Sequence, residues 1–231
     1  MRETSSYDFN PSRTVCFFHV ANLKYSRWVF REIYRELEKS GLLRDATEIH
    51  LSLVGRSGFR FPKRDNFILH HNPDLAYGEF ATLEILSKKV QDNPDANYLY
   101  IHTKGISKFW NRSIRDWRKY MTFFCVNEYR DAVKILDSSD ACGVDLSLIP
   151  KPHFSGNFWW ARGEYIKSLP SIESISTPGA EFTHSLRHNA EFWIGMGGGR
   201  LHSLYDSGIN VYQRHLHRFP RSKFTSRNVR D

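Results

Sequence analysis

The chain has 231 residues, a formal net charge of +8, and 17 phenylalanine, 11 tyrosine and 6 tryptophan residues. This aromatic content excludes a disordered chain or a coiled coil, and the length suffices for one domain with a sizeable core. The positive charge favours acidic partners such as phosphates or polyanions.

The cysteines and the lengths of the apolar runs indicate in which compartment of the cell the protein is expected. Cys16, Cys125 and Cys142 lie far apart in apolar runs, which predicts small buried side chains rather than disulfides or a zinc site. The sequence has no run of 18 apolar residues and no amino-terminal apolar signal segment. We therefore expect no transmembrane segment and a cytoplasmic location.

Strands and helices alternate in the first half of the chain. Residues 14–21 are apolar on both faces, which is typical of a central strand in a parallel sheet. Apolar residues at helical spacing then predict a helix that ends at Gly41. The remaining predictions of this half are strands at 48–54 and 67–69, a helix at 78–90 and a strand that ends at His102.

The second half of the chain is mixed. Its predicted elements are one long or two joined helices at 114–137, strands at 141–146 and 157–161, a helix at 165–169 that Pro170 ends, and a helix at 180–194. The whole pattern predicts an α/β fold, with a Rossmann-like nucleotide-binding half joined to a mixed acceptor-binding half. We expect a single domain at 14–199, with polar or basic terminal segments at 1–13 and 200–231.

Polar side chains follow two of the predicted central strands. His102, Thr103, Lys104 and Gly105 stand where one strand ends, and His19 to Asn22 end the first strand. In open α/β sheets, ligands bind beyond the carboxyl ends of the strands. This position predicts that His19, Asn22 and residues 102–105 bind a ligand, although His19 could equally be a core residue and Asn22 a helix cap.

A second polar block lies at residues 152–162. His153, Ser155 and Asn157 surround Gly156 and are predicted to bind substrate hydroxyls. Trp159 and Trp160 follow, and in a strand their indoles point to opposite faces. One indole is then a core side chain, whereas the other stacks on a sugar or nucleobase or packs beneath a helix.

Six blocks of the chain form a recognisable set, and they are Tyr100–Gly105, Asp116–Arg118, Cys142–Val144, Pro152–Arg162, Tyr165–Pro170 and Glu191–Ile194. Together they resemble small glycosyltransferases of the GT-A type. The likeness covers roughly residues 14–196 and includes the amino-terminal transferase domain of the chlorella-virus enzyme that glycosylates the major capsid protein, with bacterial rhamnan-synthesis proteins as more distant relatives. For a viral member of this group, the expected cytoplasmic location is the host cytoplasm.

The resemblance implies a single GT-A-like domain that transfers a sugar from a nucleotide-sugar donor, expected to be UDP-linked, to a hydroxyl of a glycan or glycoprotein. Most GT-A enzymes stabilise the diphosphate leaving group with Mn²⁺ or Mg²⁺ held by an Asp-x-Asp pair. Here the corresponding strand ends in His102-Thr103-Lys104 and has no carboxylate pair. Because positioned cations can stabilise the same charge, we expect Lys104 and His102 to lie near the diphosphate.

A transferase of this type also needs a group that receives the proton of the acceptor hydroxyl. Glu191 occupies the position where GT-A enzymes often have an acidic residue, so it is the candidate catalytic base, with Asp145 and Asp206 as reserves. If configuration is retained, Glu191 would instead orient the acceptor or flank the reacting carbon. The sequence is compatible with a complete protein or with one module of a longer protein.

Two other classes of protein fit the composition. A non-catalytic carbohydrate- or nucleotide-binding module would keep the tryptophans, and a nucleic-acid-binding protein would use the basic, aromatic-rich composition. The aromatic residues lie mostly inside apolar runs, so we expect no specific nucleic acid partner.

Overall fold

A mixed sheet of seven strands lies at the centre of the α/β fold. The computed structural model describes residues 14–183, 185–210 and 213–225. The strands are β1 (Thr14–Ala21), β2 (Glu48–Val54), β3 (Phe67–Asn72), β4 (Asn97–His102), β5 (Ala141–Val144), β6 (Leu146–Ser147), β7 (His153–Phe154), β8 (Trp159–Arg162) and β9 (Leu201–Tyr205). The helices are α1 (Ser26–Ser40), α2 (Leu42–Asp45), α3 (Phe80–Asp92), α4 (Arg112–Thr122), α5 (Tyr129–Ile135), α6 (Gly163–Lys167), α7 (Ile172–Ser176), α8 (Asn189–Phe192) and α9 (Ser222–Thr225).

The strand order is β3-β2-β1-β4-β8-β5-β9, and β6 pairs with β7 in a separate small sheet. Strands β1 to β4 are mutually parallel, whereas β8 is antiparallel to both of its neighbours. From β1 the chain proceeds outward to β2 and β3, and α3 then returns it to β4 on the other side of β1. The strand order therefore reverses between β1 and β4, and such a reversal is where open α/β sheets bind ligands.

Helices cover both faces of the sheet. Alternate side chains of β1 point to opposite faces, so Phe18 packs in one core layer with α1 and Phe17 in the other with α3. Burial on both faces explains why β1 is mostly apolar. Among the helices of the described residues, none is long and apolar enough to span a membrane.

The strongest local patterns are confirmed. The strands predicted at 14–21 and 48–54 have those bounds, and β4 ends at His102. Helix α1 ends at Gly41, whose φ of 86° is left-handed and whose N–H donates to the carbonyl of Glu38.

Two elements of the second half differ from their predictions. The helix predicted at 180–194 is limited to α8 and to short 3-10 turns on either side, because the Asn189 side chain hydrogen-bonds the backbone at Ile175, Ala180 and Phe182. The strand predicted at 141–146 is divided into β5 and β6 at Asp145, whose φ is 48°.

The carboxyl-terminal boundary of the domain is also corrected. β9 lies beyond residue 199 and pairs in parallel with β5, and Phe219 and Phe224 are buried in the core. The apolar residues of this segment are separated by basic ones, which gave it the composition of a tail. The segments 1–13 and 226–231 lie outside the described residues.

Arg214 holds this carboxyl-terminal segment on the rest of the domain. Its side chain is 1% exposed, pairs with the carboxylate of Asp145 and donates to Ser207 Oγ at 2.5 Å. The guanidinium also lies over three aromatic rings, those of Trp117, Tyr120 and Phe219. Burial lowers the pKa of Arg214 to about 10, so the side chain stays charged at neutral pH.

We predict that Arg214→Met lowers the free energy of unfolding by about 3–5 kcal/mol, because it leaves the Asp145 carboxylate buried without its cation. Arg64→Met is the matched control, since Arg64 pairs with Glu38 at the surface, where the two side chains are 35% and 58% exposed. The control should lose less than about 1 kcal/mol in urea unfolding. Equal losses in the two variants would contradict an anchoring role for Arg214.

Candidate functional site

A pocket of about 560 Å³ opens at the carboxyl ends of β1 and β4, where the strand order reverses. Its wall includes residues 75–80, which lead into α3, residues 102–108 from the end of β4 onward, and residues near the start of α8. The pocket brings together six of the residues that the sequence singled out, namely His19, His102, Thr103, Lys104, Gly105 and Glu191. Residues from distant parts of the chain therefore meet where the sheet topology predicts a ligand site.

Lys104 and Glu191 form an ion pair inside this pocket. Lys104 Nζ lies 3.2 Å from Glu191 Oε1 and 4.7 Å from the centre of the Trp117 ring. The two charged side chains are only 16% and 23% exposed. Burial raises the pKa of Glu191, but the positive charge of Lys104 outweighs this effect, and the net pKa is lowered.

The backbone after β4 is held in place around Lys104. Gly105 has a φ of 78°, which favours glycine, and the Arg118 guanidinium donates to the carbonyl of Lys104 at 2.9 Å. Thr103 accepts a hydrogen bond from the Ala21 N–H at 3.3 Å, which joins the ends of β1 and β4. The ammonium of Lys104 is thereby positioned by backbone, ring and carboxylate together.

Glu79 is the residue of this pocket that sequence reasoning missed. Its Oε2 accepts hydrogen bonds from Tyr100 OH at 2.9 Å and from Asn157 Nδ2 at 2.7 Å, and its Oε1 lies 3.7 Å from His102 Nδ1. Burial raises the pKa of Glu79, but the nearby His102, His19 and Lys104 have the larger combined effect and lower the pKa to about 2. The carboxylate is therefore charged at neutral pH. The only signal in the sequence was a carboxylate at the start of the helix predicted at 78–90.

The two histidines of the pocket are buried. His19 is 3% exposed, and its Nδ1 lies 2.8 Å from Thr82 Oγ1. Burial lowers the pKa of His19 to about 4, so this ring is neutral at pH 7. His102 Nε2 donates to the carbonyl of Gly156 at 2.9 Å, and burial lowers the pKa of this ring too.

Three further cationic or aromatic groups of the pocket were also missed, and they are the side chains of Lys108, Arg187 and Trp117. Lys108 and Arg187 are exposed, and neither has an ion-pair partner within the described part of the chain. With Lys104 they place three cations against the carboxylates of Glu79 and Glu191. The excess of positive charge suits an anionic ligand.

Asn22 lies beside the pocket rather than in its lining. Its side-chain amide donates to the carbonyls of Arg56 and Ser57 at 2.5 and 3.5 Å, so it holds the loop after β2. The alternative role of Asn22 as a helix cap also differs from the structure, in which Tyr25 occupies the N-cap position of α1.

The block at 152–162 lies behind the pocket. His153 donates from Nδ1 to the carbonyl of Lys151 and packs against the Phe192 ring, and the N–H of Ser155 donates to the carbonyl of Asp145. Asn157 is fully buried and contacts Glu79 rather than the pocket itself. None of these three residues lines the pocket.

Trp159 and Trp160 point to opposite faces, and both are core residues with no exposed surface. Trp159 stacks on Tyr100 with ring centres 5.3 Å apart, and Trp160 donates from Nε1 to the carbonyl of Cys125. The expectation that one indole stacks on a ligand is corrected for this reason: β8 is an internal strand, and both faces of the sheet are covered.

The reserve carboxylates lie elsewhere. Asp145 pairs with Arg214 and accepts from the N–H of Ser207, and Asp206 accepts from the hydroxyl of Ser203. Glu79 and Glu191 are therefore the carboxylates that face the pocket.

The donor set of the pocket does not fit a divalent cation held by side chains. The ammonium of Lys104 occupies the position after β4 and would repel such an ion, and Glu79 Oε2 is already engaged by Tyr100 and Asn157. Across the described ranges, no three His, Cys, Asp or Glu side chains are grouped so that they could hold a metal ion.

Comparison with known families adds one match. Residues 46–195, more than half of the chain, match the model of the family described as "Domain of unknown function (DUF8361)". The chain belongs to the DUF8361 family. The matched part of this DUF8361 protein includes Glu79, His102, Lys104 and Glu191, whereas β1 and His19 precede it. A search of curated proteins finds no match.

We predict that Gly105→Ala lowers the free energy of unfolding by more than about 3 kcal/mol. A non-glycine residue in the left-handed region alone costs about 1–3 kcal/mol, and the substitution adds a steric contact. A Cβ at this position would lie 2.2 Å from Ile114 Cγ2. Gly58→Ala is the matched control, because Gly58 also has a positive φ but no atom lies within 4 Å of its Cβ position. If urea unfolding gives equal losses for both variants, the contact with Ile114 does not restrict this loop.

Proposed function

We propose that this DUF8361 protein is a GT-A-like glycosyltransferase, which moves a sugar from a UDP-linked or related nucleotide-sugar donor to a hydroxyl of a glycan or glycoprotein. The observation that supports it best is the position of the pocket, at the carboxyl ends of parallel strands β1 and β4 where the strand order reverses. Nucleotides bind at this position in doubly wound folds. A volume of about 560 Å³ lies within the range of small-molecule sites.

The cations of the pocket suit the diphosphate of such a donor. As the bond between the sugar and the diphosphate breaks, negative charge develops on the departing oxygen. Lys104, Lys108 and Arg187 face the pocket, and Lys104 is already fixed by its contacts. A positioned charge of this kind needs no rearrangement during the reaction, and the loss of one typically costs about 10²–10³ in rate.

Glu191 forms an ion pair with the ammonium of Lys104. Because its Oε1 is 3.2 Å from Lys104 Nζ, a diphosphate would compete with Glu191 for this cation. Glu191 therefore holds Lys104 in position before the donor binds. The role of catalytic base that the sequence suggested for Glu191 would fall to its other carboxylate oxygen, which is not the one that contacts Lys104.

We predict that uridine diphosphate or a related nucleoside diphosphate raises the melting temperature. A ligand at 100 times its dissociation constant adds about 2.7 kcal/mol to the free energy of unfolding, which a thermal-shift assay detects easily. Oligonucleotides and free sugars should have no comparable effect. If no nucleoside diphosphate shifts the melting temperature, with or without Mn²⁺, a transferase that uses a nucleotide-sugar is excluded.

We predict that Lys104→Ala weakens the binding of the nucleoside diphosphate roughly ten-fold or more, since a hydrogen bond to a charged group contributes about 1.5–3 kcal/mol. Glu191→Gln should keep this affinity or increase it, because it removes the competing anion. Lys88→Ala is the control, as Lys88 lies on the surface of α3 and pairs with Glu84. Isothermal titration calorimetry measures all three, and an unchanged affinity in Lys104→Ala would contradict the assigned donor contact.

A further inference from the structure

The hydrogen bonds around Glu79 have one possible direction. The indole N–H of Trp159 can only donate, and it donates to Asn157 Oδ1 at 2.8 Å. Asn157 Nδ2 is therefore the amide group that faces Glu79 Oε2. With Tyr100 OH as a second donor, this oxygen is fully occupied. The other oxygen, Oε1, has no hydrogen-bond partner among the described residues and belongs to a side chain that is 20% exposed in the pocket.

The proton on His102 is located by a similar argument. A backbone carbonyl can only accept, so Nε2, which faces the carbonyl of Gly156 at 2.9 Å, carries a hydrogen. Nδ1 is then the nitrogen that gains or loses a proton. It faces Glu79 Oε1 at 3.7 Å, so the free oxygen of the carboxylate and the free nitrogen of the ring are neighbours.

The two carboxylates of the pocket differ in their neighbours. Glu191 has the ammonium of Lys104 beside it, which cannot accept a proton. Glu79 has His102, which can. A proton that reaches Glu79 from the pocket thus has a second acceptor directly behind it.

We propose that Glu79 and His102 together take up the proton of the acceptor hydroxyl, which rests on the proposed transferase function. The O–H bond of the acceptor breaks, and the proton passes to Glu79 Oε1 and on to His102 Nδ1. The electron pair of that bond stays on the acceptor oxygen, which bonds to the anomeric carbon of the donor sugar. The bond from this carbon to the diphosphate breaks, and its electron pair leaves with the nucleoside diphosphate.

Several charged or titratable groups act on this pair. Glu79 and Glu191 favour the protonated form of His102, whereas Lys104 and burial oppose it. His19 lies with its ring centre 6.5 Å from that of His102 and is neutral at pH 7. Tyr100, whose hydroxyl donates to Glu79, stays protonated because burial raises its pKa. Burial has the larger effect and the pKa of His102 is lowered overall, so the two carboxylates offset only part of the cost of an imidazolium that forms during the reaction.

The kinetic test compares two Glu→Gln variants. Glu79→Gln keeps an oxygen for Tyr100 and Asn157 but cannot take a proton, so the turnover number should fall about 10²–10⁴-fold while nucleoside diphosphate binding persists. Glu48→Gln is the matched control, because Glu48 Oε2 lies 2.9 Å from His50 Nε2 in a second carboxylate–imidazole pair at the opposite end of the sheet. The control should retain wild-type turnover.

A second measurement needs no activity. In a ¹⁵N NMR titration, with the His102 signal assigned by its loss in His102→Gln, Glu79→Gln should move the protonation of His102 to lower pH, because an anion that favours the imidazolium is gone. Glu48→Gln should move His50 in the same direction and leave His102 unchanged. An unshifted His102 in Glu79→Gln would show that the two groups do not share a proton.

The outcomes separate the two proposals. If the wild type transfers sugar and Glu79→Gln keeps wild-type turnover, the role of the pair is overturned and the transferase function stands. If Glu79→Gln stays active and the turnover of Glu191→Gln instead falls about 10²–10⁴-fold, Glu191 is the base. If the wild type transfers no sugar from any donor, both proposals fail.

Discussion

The geometry of the pocket depends on one partly buried carboxylate, that of Glu79. A carboxylate removed from water costs several kcal/mol unless hydrogen bonds or opposite charges replace its hydration. Here Tyr100 and Asn157 donate to one oxygen, and His102 faces the other. Because these partners belong to β4 and to the turn before β8, and Glu79 stands at the start of α3, the single charge fixes three elements relative to one another at the mouth of the site.

Much of the first half of the fold could be predicted, for a physical reason. Strand β1 is buried on both faces and is a mostly apolar run, whereas β2 alternates Ile49, Leu51 and Leu53 with polar residues, and both patterns are visible in the local sequence. Strand β9 could not be found this way, because it is an edge strand and only partly buried. Its apolar residues are mixed with polar ones, and the strand directly follows glycines and an arginine. Its place depends on the free edge of β5, which no local pattern reveals.

The residues of the site also differ in whether the local sequence reveals them. Residues 102–105 could be predicted as site residues because polar side chains directly follow a buried strand, and this pattern is visible in the local sequence. Glu79 could not, since a glutamate at the start of a helix is ordinary until the topology places it against β4. The burial of Trp160 likewise depends on β8 being an internal strand, which is a property of the whole sheet.

The pocket is continuous with one face of the core. Side chains two residues apart in a strand share a face, so Tyr100 and His102 both point toward Glu79. Tyr100 stacks on Trp159, whose indole N–H fixes the orientation of the Asn157 amide and therefore the donor that Glu79 receives. A tryptophan that the sequence suggested as a ligand contact thus acts on the site from within the core. The packing of this layer and the direction of the hydrogen bonds at Glu79 are set by the same side chains.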